Sequence, residues 1–337
     1  MNARTLTDFS ALTGRLEAME VVVALPGKTL LQAASAQFSA GQVTAILGPN
    51  GAGKSTLMAV LSGQRQPSSG EVCLAGKKLA AHAPGELARV RACVAQETQV
   101  AFEFSVREVV ELGRYPHRRQ PSRHEAAIVL QAMQATQVDH LAERAINTLS
   151  GGEKARAHLA RALAQVWEPV AEGGGPVFPP GRPKEKHTPS GGRELHAVSE
   201  RGGLIFPPGR PKKKHTPSGG RELHAVSERG GQLSRWLLLD EPTAALDLQH
   251  QHRMLQLARD WACQQGVGVV AVLHDLNLAL RYSDRCVVLQ GGQVVASGIT
   301  PEVLSAACIE KVWGVYAQAV PNHGGSDHRL QYVFEPV

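Results

Sequence analysis

The sequence predicts an α/β protein built around a parallel β-sheet. Three short runs are almost wholly apolar, the composition of strands that are buried on both faces. They are Val43-Thr44-Ala45-Ile46-Leu47, Trp236-Leu237-Leu238-Leu239 and the stretch from Val267 to Leu273. The segments between them have helical composition. Continuous apolar strands that alternate with helices are typical of a parallel sheet covered on both faces.

The helices follow from composition and apolar spacing. The first predicted strand ends in a glycine-rich turn, and a helix is expected from Lys54 to Gly63. Residues 100–170 are rich in Ala, Arg, Leu and Glu with apolar spacing near 3.6, which predicts a mostly helical region. A further helix is expected near Pro301–Val312.

Composition limits the protein class. A chain of 337 residues suits two domains, or one large α/β domain with additions, and 43% apolar with 20% charged residues excludes global disorder. The five cysteines form no Cys-x-x-Cys pair, so neither a disulfide framework nor a zinc site is expected. No secretory signal and no apolar run near the ~20 residues of a membrane helix is visible.

The net charge of +6 comes from one basic segment, residues 174–229, which holds 11 Lys/Arg and 5 Asp/Glu. The segment is a 28-residue sequence written twice, with differences at three positions. Glycine and proline make up about a third of it, a composition that predicts disorder. We interpret it as a tandem insertion into a loop, not as a domain.

The glycine-rich turn after the first strand predicts a phosphate-binding loop. It fits Gly-x-x-x-x-Gly-Lys-[Ser/Thr], a pattern in which backbone N–H groups and a helix start surround phosphate oxygens. Lys54 is expected to reach the β- and γ-phosphates, and the Ser55 hydroxyl to bind Mg²⁺. The candidate nucleotide-binding residues are Gly48, Pro49, Asn50, Gly51, Ala52, Gly53, Lys54, Ser55 and Thr56.

Two adjacent carboxylates, Asp240 and Glu241, follow the predicted strand at 236–239. Side chains alternate along a strand, so neighbouring acids point to different places. One carboxylate can then bind Mg²⁺ while the other acts on the attacking water. This division suits Asp240 for the metal and Glu241 for the general base.

A Ser-Gly-Gly segment precedes the helical run at 154–165 and is a second candidate anion site, with Ser150 as the helix cap. Its residues are Leu149, Ser150, Gly151, Gly152 and Glu153. The repeats contain two more Ser-Gly-Gly sequences, at 190–192 and 218–220, but these lead into no comparable helix. We therefore do not count them as sites.

The combination and order of these motifs resemble the ABC transporter ATPase family, over nearly the whole chain except the repeats. The resemblance implies a P-loop NTPase (RecA-like) core with a parallel sheet, an antiparallel β subdomain and an α-helical signature subdomain. The implied domains are a nucleotide-binding core at 18–98 and 231–298, a helical subdomain at 99–173, the insert at 174–229 and a C-terminal extension at 299–337.

By the same resemblance, the glycine-rich turn is the Walker A motif, the two carboxylates are the Walker B aspartate and the catalytic base, and Ser-Gly-Gly is the signature. Gln96 corresponds to the Q-loop, Asp247 to the D-loop and His274 to the switch histidine. The implied cofactors are ATP and Mg²⁺. The implied catalytic residues are Lys54, Gln96, Glu241 and His274, and the implied metal ligands are Ser55, Gln96 and Asp240.

The chain departs from the family on the adenine side. Members usually carry an aromatic residue upstream of Walker A that stacks on the base, but no aromatic lies between Phe9 and Phe38. Val23 stands about where the aromatic is expected. We therefore expect adenine to be held by apolar contact, with poor discrimination between bases.

The chain carries one Walker A motif and one matching signature. In the resembling family each ATP is held between the Walker A of one subunit and the signature of another, which implies a head-to-tail homodimer. Transport would need separate membrane permease subunits, with the ATPase peripheral on the cytoplasmic face of the inner membrane. The stretch from Ala101 to His117 resembles the iron-siderophore, haem and cobalamin import branch. Haem is the expected cargo, and a periplasmic binding protein an indirect partner.

Other functions stay open on the sequence alone. The cargo could instead be a ferric siderophore or cobalamin. A different class is a soluble ABC ATPase that acts on nucleic acid or ribosomes through the basic repeats. Such proteins commonly carry two cassettes or long coiled coils, which this sequence lacks, so nucleic acid is not an expected partner. A third option is a copy damaged by the insertion, but motifs on both sides of it are intact.

Overall fold

The computed structural model describes residues 14–95, 103–167, 233–320 and 331–336. Contacts along the chain divide it into two compact units, Met1–Pro179 with Gly231–Val337, and Pro180–Gly230. The second unit lies outside the described residues, as does the whole repeat insert. The fold given below is that of the first unit.

The described residues form twelve strands in three sheets. In chain order the strands are β1 (Arg15–Leu25), β2 (Lys28–Ser39), β3 (Val43–Leu47), β4 (Ser69–Leu74), β5 (Lys77–Lys78), β6 (Arg91–Val94), β7 (Trp236–Leu239), β8 (Gly268–Val272), β9 (Arg285–Gln290), β10 (Gln293–Ile299), β11 (Val315–Val320) and β12 (Gln331–Pro336). Their sheets have the orders β2-β1-β4-β5, β10-β9-β3-β8-β7-β6 and β11-β12.

The α-helices of the described residues alternate with the strands of the central sheet. In chain order they are α1 (Lys54–Leu61), α2 (Pro84–Val90), α3 (Val106–Leu112), α4 (Glu125–Ala135), α5 (Gly151–Val166), α6 (Leu248–Gln265), α7 (Leu276–Tyr282), α8 (Thr300–Val303) and α9 (Ala306–Trp313). Among these described helices, none is both long enough and apolar enough to cross a membrane.

The six-stranded sheet confirms the predicted parallel core. Strands β9, β3, β8, β7 and β6 are parallel neighbours, and β10 adds an antiparallel edge. Every residue of β3, β7 and β8 is buried, as the continuous apolar runs predicted. Parallel strands bring their carboxyl ends to one edge of the sheet, where the residues after β3, β7 and β8 meet.

The two faces of this sheet are covered differently. Ala45 and Leu47 of β3 enter a core formed with the helices α3 to α7. Ile46 points the other way, into a core with Leu57 of α1 and Phe38 of the antiparallel sheet. The second face is thus closed largely by a sheet, which confirms the antiparallel subdomain that the resemblance implied.

The predicted helical region is confirmed for its described part. Arg114, 8% exposed, follows α3 and holds three elements together. Its guanidinium binds both carboxylate oxygens of Glu125 at 2.6 and 3.0 Å and donates to the carbonyl oxygens of Ala164 and Trp167 at 2.7 and 3.0 Å. A buried two-pronged pair of this type fixes orientation as well as distance, so α4 and the end of α5 are locked to the end of α3.

The C-terminal helix is interrupted. The sequence predicted one helix near Pro301–Val312, whereas the structure has α8 and α9 with Leu304 and Ser305 between them. Leu304 is fully buried, and the Ser305 side chain accepts a hydrogen bond from Cys308 N at 3.3 Å. Serine in this position caps a new helix and so separates it from the preceding turn.

Candidate functional site

The glycine-rich turn between β3 and α1 presents a row of backbone donors. Its glycines adopt positive φ angles of 146° at Gly48, 76° at Gly51 and 102° at Gly53, a region that side chains disfavour. A Cβ at Gly48 would collide with the carbonyl oxygen of Leu289. Helix α1 starts without a side-chain cap, and no acceptor among the described residues meets the backbone N–H groups of residues 53–56. The turn is therefore suited to an anion.

Lys54 supplies the positive charge of this turn. It is 5% exposed, and its Nζ donates to the carbonyl oxygens of Gly48 at 2.9 Å and Pro49 at 3.0 Å. Burial lowers the pKa of the Lys54 ammonium, and the negative charges of Glu241 and Asp240 oppose that effect. A phosphate oxygen is a stronger, charged acceptor than either carbonyl, so the ammonium is placed to change partners when phosphate arrives.

Ser55 and Asp240 meet across the site although 185 positions separate them. The Ser55 hydroxyl donates to Asp240 Oδ1 at 3.2 Å. Burial raises the pKa of Asp240, while the hydrogen bond from Ser55 lowers it. A partly buried carboxylate beside a hydroxyl matches the oxygen ligands of Mg²⁺, whose charge would offset the burial. The described residues contain no cluster of three His, Cys, Asp or Glu for a metal, which fits an ion held by one or two protein oxygens together with substrate phosphates and water.

Glu241 has a different partner from its neighbour, as adjacent residues at a strand end should. Its Oε1 lies 2.8 Å from Nε2 of His274, which follows the adjacent parallel strand β8. The Glu241 side chain is 14% exposed and that of His274 is 47% exposed. Glu241 also has a φ of 52°, a strained backbone for a non-glycine residue and one that is concentrated at functional sites. The carboxylate is shielded, whereas the imidazole is accessible.

The signature segment is built as a capped helix start. Ser150 Oγ accepts a hydrogen bond from Glu153 N at 3.3 Å, and Ser150 N donates to Glu153 Oε2 at 2.8 Å. The donation from Ser150 N, together with that from the Ser150 hydroxyl to the same Oε2 at 2.8 Å, lowers the pKa of the Glu153 carboxyl. Leu149 is 5% exposed and anchors the segment in the core, while Ser150 stays exposed. The predicted role of Ser150 as the cap is confirmed.

The signature glycines pack against the D-loop. A Cβ on Gly152 would lie 3.1 Å from the carbonyl oxygen of Ala245, and one on Gly151 would lie 3.6 Å from the Ala245 side chain. The hydrogen bonds of the described residues do not join the signature to the glycine-rich turn. Within one chain, the signature glycines thus lie against Ala245, two residues before Asp247.

Asp247 caps the start of α6, and its carboxylate is held by His250, a residue that the sequence motifs did not indicate. Its carboxylate accepts from His250 N at 2.8 Å and lies 2.8 and 2.9 Å from His250 Nδ1. These contacts lower the pKa of Asp247. The spacing could have indicated His250, because a residue three positions after a capping aspartate contacts that aspartate in the first helical turn.

Two residues from the sequence analysis remain to be located, Val23 on the expected adenine-binding side and Gln96. Val23 is 2% exposed and packs in the core beneath the antiparallel sheet, because the alternation along β1 turns it inward. Val23 is therefore not exposed where an aromatic ring would stack, and the expected apolar contact to adenine stays a prediction. Leu25 is 46% exposed and pairs with Lys28 at the end of the β1–β2 hairpin. The second strand of this hairpin approaches Gly53 through Leu30 and Leu31. Gln96 lies outside the described residues.

Comparison with known proteins identifies the family. The family model for ABC transporters matches residues 31–167. Hemin import ATP-binding protein HmuV of Gloeobacter violaceus is 39% identical over 301 residues, which cover 89% of this chain and 87% of that protein. The chain belongs to the ABC transporter ATP-binding family. The protein of the same name from Rhodopseudomonas palustris is 37% identical over 304 residues, 90% of each chain.

Solved structures of ABC proteins share the fold. A metal-chelate type ABC transporter in an inward-facing conformation aligns with a TM-score of 0.65 and 20% identity, over 96% of this chain and 98% of that chain. A dimeric bacterial ABC transporter cassette aligns with a TM-score of 0.59 and 21% identity, over 85% and 98%. Together with the family match, these alignments confirm the ABC cassette fold, and this ABC chain is a transport-coupled ATPase.

Proposed function

We propose that this ABC ATPase powers the import of hemin through a separate membrane permease. The pairing of Ser55 with Asp240 and of His274 with Glu241, beside a phosphate-binding turn, supports the hydrolytic step. The cargo assignment is supported by relatives named hemin import ATP-binding proteins, at 36% to 39% identity over more than four-fifths of the chain. Ferric siderophores and cobalamin are the alternative cargoes.

ATP binds with its phosphates on the N–H groups of the glycine-rich turn and on the Lys54 ammonium. Ser55 and Asp240 would hold Mg²⁺ together with the phosphates, and Gln96 would be a further ligand by its position in the family pattern. When bound, Mg²⁺ neutralises charge on the β- and γ-phosphates. The exposed Leu25 offers an apolar contact to the base.

Glu241 accepts the proton of the attacking water as the general base. The water oxygen forms a bond to the γ-phosphorus while the bond to the bridging oxygen breaks, which releases ADP and phosphate. His274 orients the Glu241 carboxylate through the 2.8 Å contact, and its accessible ring would interact with the γ-phosphate. Lys54 balances the charge that collects on the transferred group.

Two chains complete the site head to tail. By the family pattern, the signature of one chain then covers the ATP on the Walker A turn of the other. The dimer couples to permease subunits on the cytoplasmic face of the inner membrane, and it meets a periplasmic binding protein only indirectly. The rival nucleic-acid function depends on the basic repeats at 174–229, outside the described residues.

The test is uptake in cells that lack this chain and are then complemented with it. Labelled hemin, a ferric siderophore and cobalamin are offered in parallel. We expect a defect in hemin uptake alone, which the intact chain restores and the Lys54→Ala chain does not. A defect in a different cargo would reassign the substrate. No defect with any of the three would reject the importer function.

A further inference from the structure

We propose that the chain has a second anion-binding site, in a groove between the central and the antiparallel sheets. The groove has a volume of about 300 Å³. Thr44 and Arg285 form part of its lining and are partners in the parallel register of β3 and β9, so their side chains share one face of the sheet. Ala18 and Ala36 of the antiparallel sheet line the opposite side.

Thr44 brings an unpartnered polar group to this groove. The residue is 1% exposed, and its Oγ1 has no hydrogen-bond partner among the described residues. Buried hydroxyl groups are normally hydrogen-bonded, because losing water without gaining a partner is costly. A buried hydroxyl that borders an open groove therefore marks a place where a ligand atom can supply the missing bond.

Arg285 gives the groove its charge. Among the described residues that line the groove it is the only charged one, and no side-chain hydrogen bond or ion pair of the described residues engages its guanidinium. The neighbouring Asp284 is committed elsewhere: Oδ2 accepts from Val43 N at 2.9 Å, and Oδ1 lies 3.3 Å from Arg259. A half-buried guanidinium without a counter-charge favours an anion, and its fork matches carboxylate and phosphate groups.

The groove is separate from the catalytic site. Thr44 is near the amino end of β3 and Arg285 begins β9, whereas the phosphate-binding turn follows the carboxyl end of β3. Hydroxyls of Ser35 and Ser297 lie at the rim, although Ser35 Oγ already accepts from Glu20 N at 2.9 Å. The chemistry fits a small molecule that carries a carboxylate or a phosphate group and receives bonds from Arg285 and Thr44.

Equilibrium dialysis of the full-length Lys54→Ala chain tests this site, because that substitution removes the ammonium of the catalytic turn. The probes are labelled inorganic phosphate and, separately, labelled succinate. We expect saturable binding of at least one probe, weakened about tenfold or more by an added Arg285→Gln substitution and less by Thr44→Val. The control Arg281→Gln removes an exposed arginine of α7 and should leave binding unchanged.

Each outcome decides the proposal. Binding of phosphate alone supports a phosphate-bearing ligand, and binding of succinate alone supports a carboxylate-bearing one. No saturable binding of either probe at millimolar concentration, or binding that survives Arg285→Gln, overturns the site. Circular dichroism checks that the variants fold. If Arg285→Gln does not, Arg285→Lys, which keeps the charge but lacks the fork, must weaken binding instead.

Discussion

At the residue scale, the proposed hydrolysis depends on how Glu241 is held. A shielded carboxylate, a contact with His274 and a positive φ of 52° occur together at this position. The strain is maintained by the surrounding fold, since Glu241 follows a fully buried strand and precedes Pro242. The result is a carboxylate fixed in place before substrate arrives, which lowers the reorganisation needed in the transition state.

Replacing this carboxylate separates binding from hydrolysis. Glu241→Gln keeps the shape of the side chain but removes its ability to accept a proton. We expect ATP binding to persist and the rate of hydrolysis to fall about 10²-fold or more. Phosphate release and nucleotide binding measure the two effects. Glu143→Gln, an exposed glutamate of the helical region, serves as the control. Turnover near the wild-type rate in Glu241→Gln would remove Glu241 from the role of base.

The proposed contact between Leu25 and the base is aliphatic, so we expect weak discrimination between bases. Leu25 is 46% exposed at the end of a hairpin whose second strand approaches Gly53 through Leu30 and Leu31. An aromatic ring there would stack on the base, so Leu25→Tyr should tighten ATP binding by about 0.5–1.5 kcal/mol. The exposed Leu130, on α4, gives the control Leu130→Tyr. Fluorescent-nucleotide titration measures both, and equal affinities for the wild type and Leu25→Tyr would place the base elsewhere.

At the scale of elements, the signature helix α5 contains a buried histidine. His158 is 5% exposed, and neither ring nitrogen has a hydrogen-bond partner among the described residues. Burial, together with the charges of Arg161 and Lys154, lowers the pKa of His158 to about 4. The side chain is therefore neutral at physiological pH and acts as part of the packing between α5 and the end of β7.

This histidine links stability to pH. An unfolded histidine titrates near 6.5, so between pH 6.5 and about 4 the unfolded chain binds a proton at His158 that the folded chain does not. Acidification through this range should lower the free energy of unfolding. In His158→Gln the decline should be shallower, whereas His140→Gln, at an exposed histidine, should follow the wild type. Urea unfolding across the range measures the slopes, and an unchanged slope in His158→Gln contradicts the assignment.

At the scale of the whole molecule, the proposed mechanism takes the signature and the Walker A turn of each site from different chains, which makes dimerisation essential to it. Lys54→Ala damages the Walker A turn of both sites in a homodimer. Ser150→Arg damages the signature of both sites. In a mixed dimer, one site carries both defects and the other carries neither. The symmetry of a head-to-tail pair therefore yields a complementation test.

Mixing the two inactive variants in equal amounts should restore ATP hydrolysis to about a quarter of the wild-type rate, if the two sites act independently. Each variant alone is the control, and phosphate release is the measurement. Refolding or prolonged incubation lets the subunits exchange. Activity that stays absent, once mixed dimers are verified by differential tags, would contradict a site shared between chains.

The sequence alone determined the local elements and most of the chemistry. The strands β3 and β7 have the predicted bounds, and the glycine pattern of Walker A places donors at the start of α1, because backbone conformation there is fixed by neighbouring residues. The cap formed by Ser150 and Glu153 is equally local. The family resemblance supplied the antiparallel subdomain and the order of the remaining motifs.

The tertiary structure decided which distant groups meet. The contact of Ser55 with Asp240 needs two strands to lie in one parallel sheet, and the packing of β1 turned Val23 inward and left Leu25 exposed. The groove at Thr44 and Arg285 exists only because two sheets stack and leave a gap. Such features depend on registers and layers that form between segments far apart in the chain, and no local pattern encodes them.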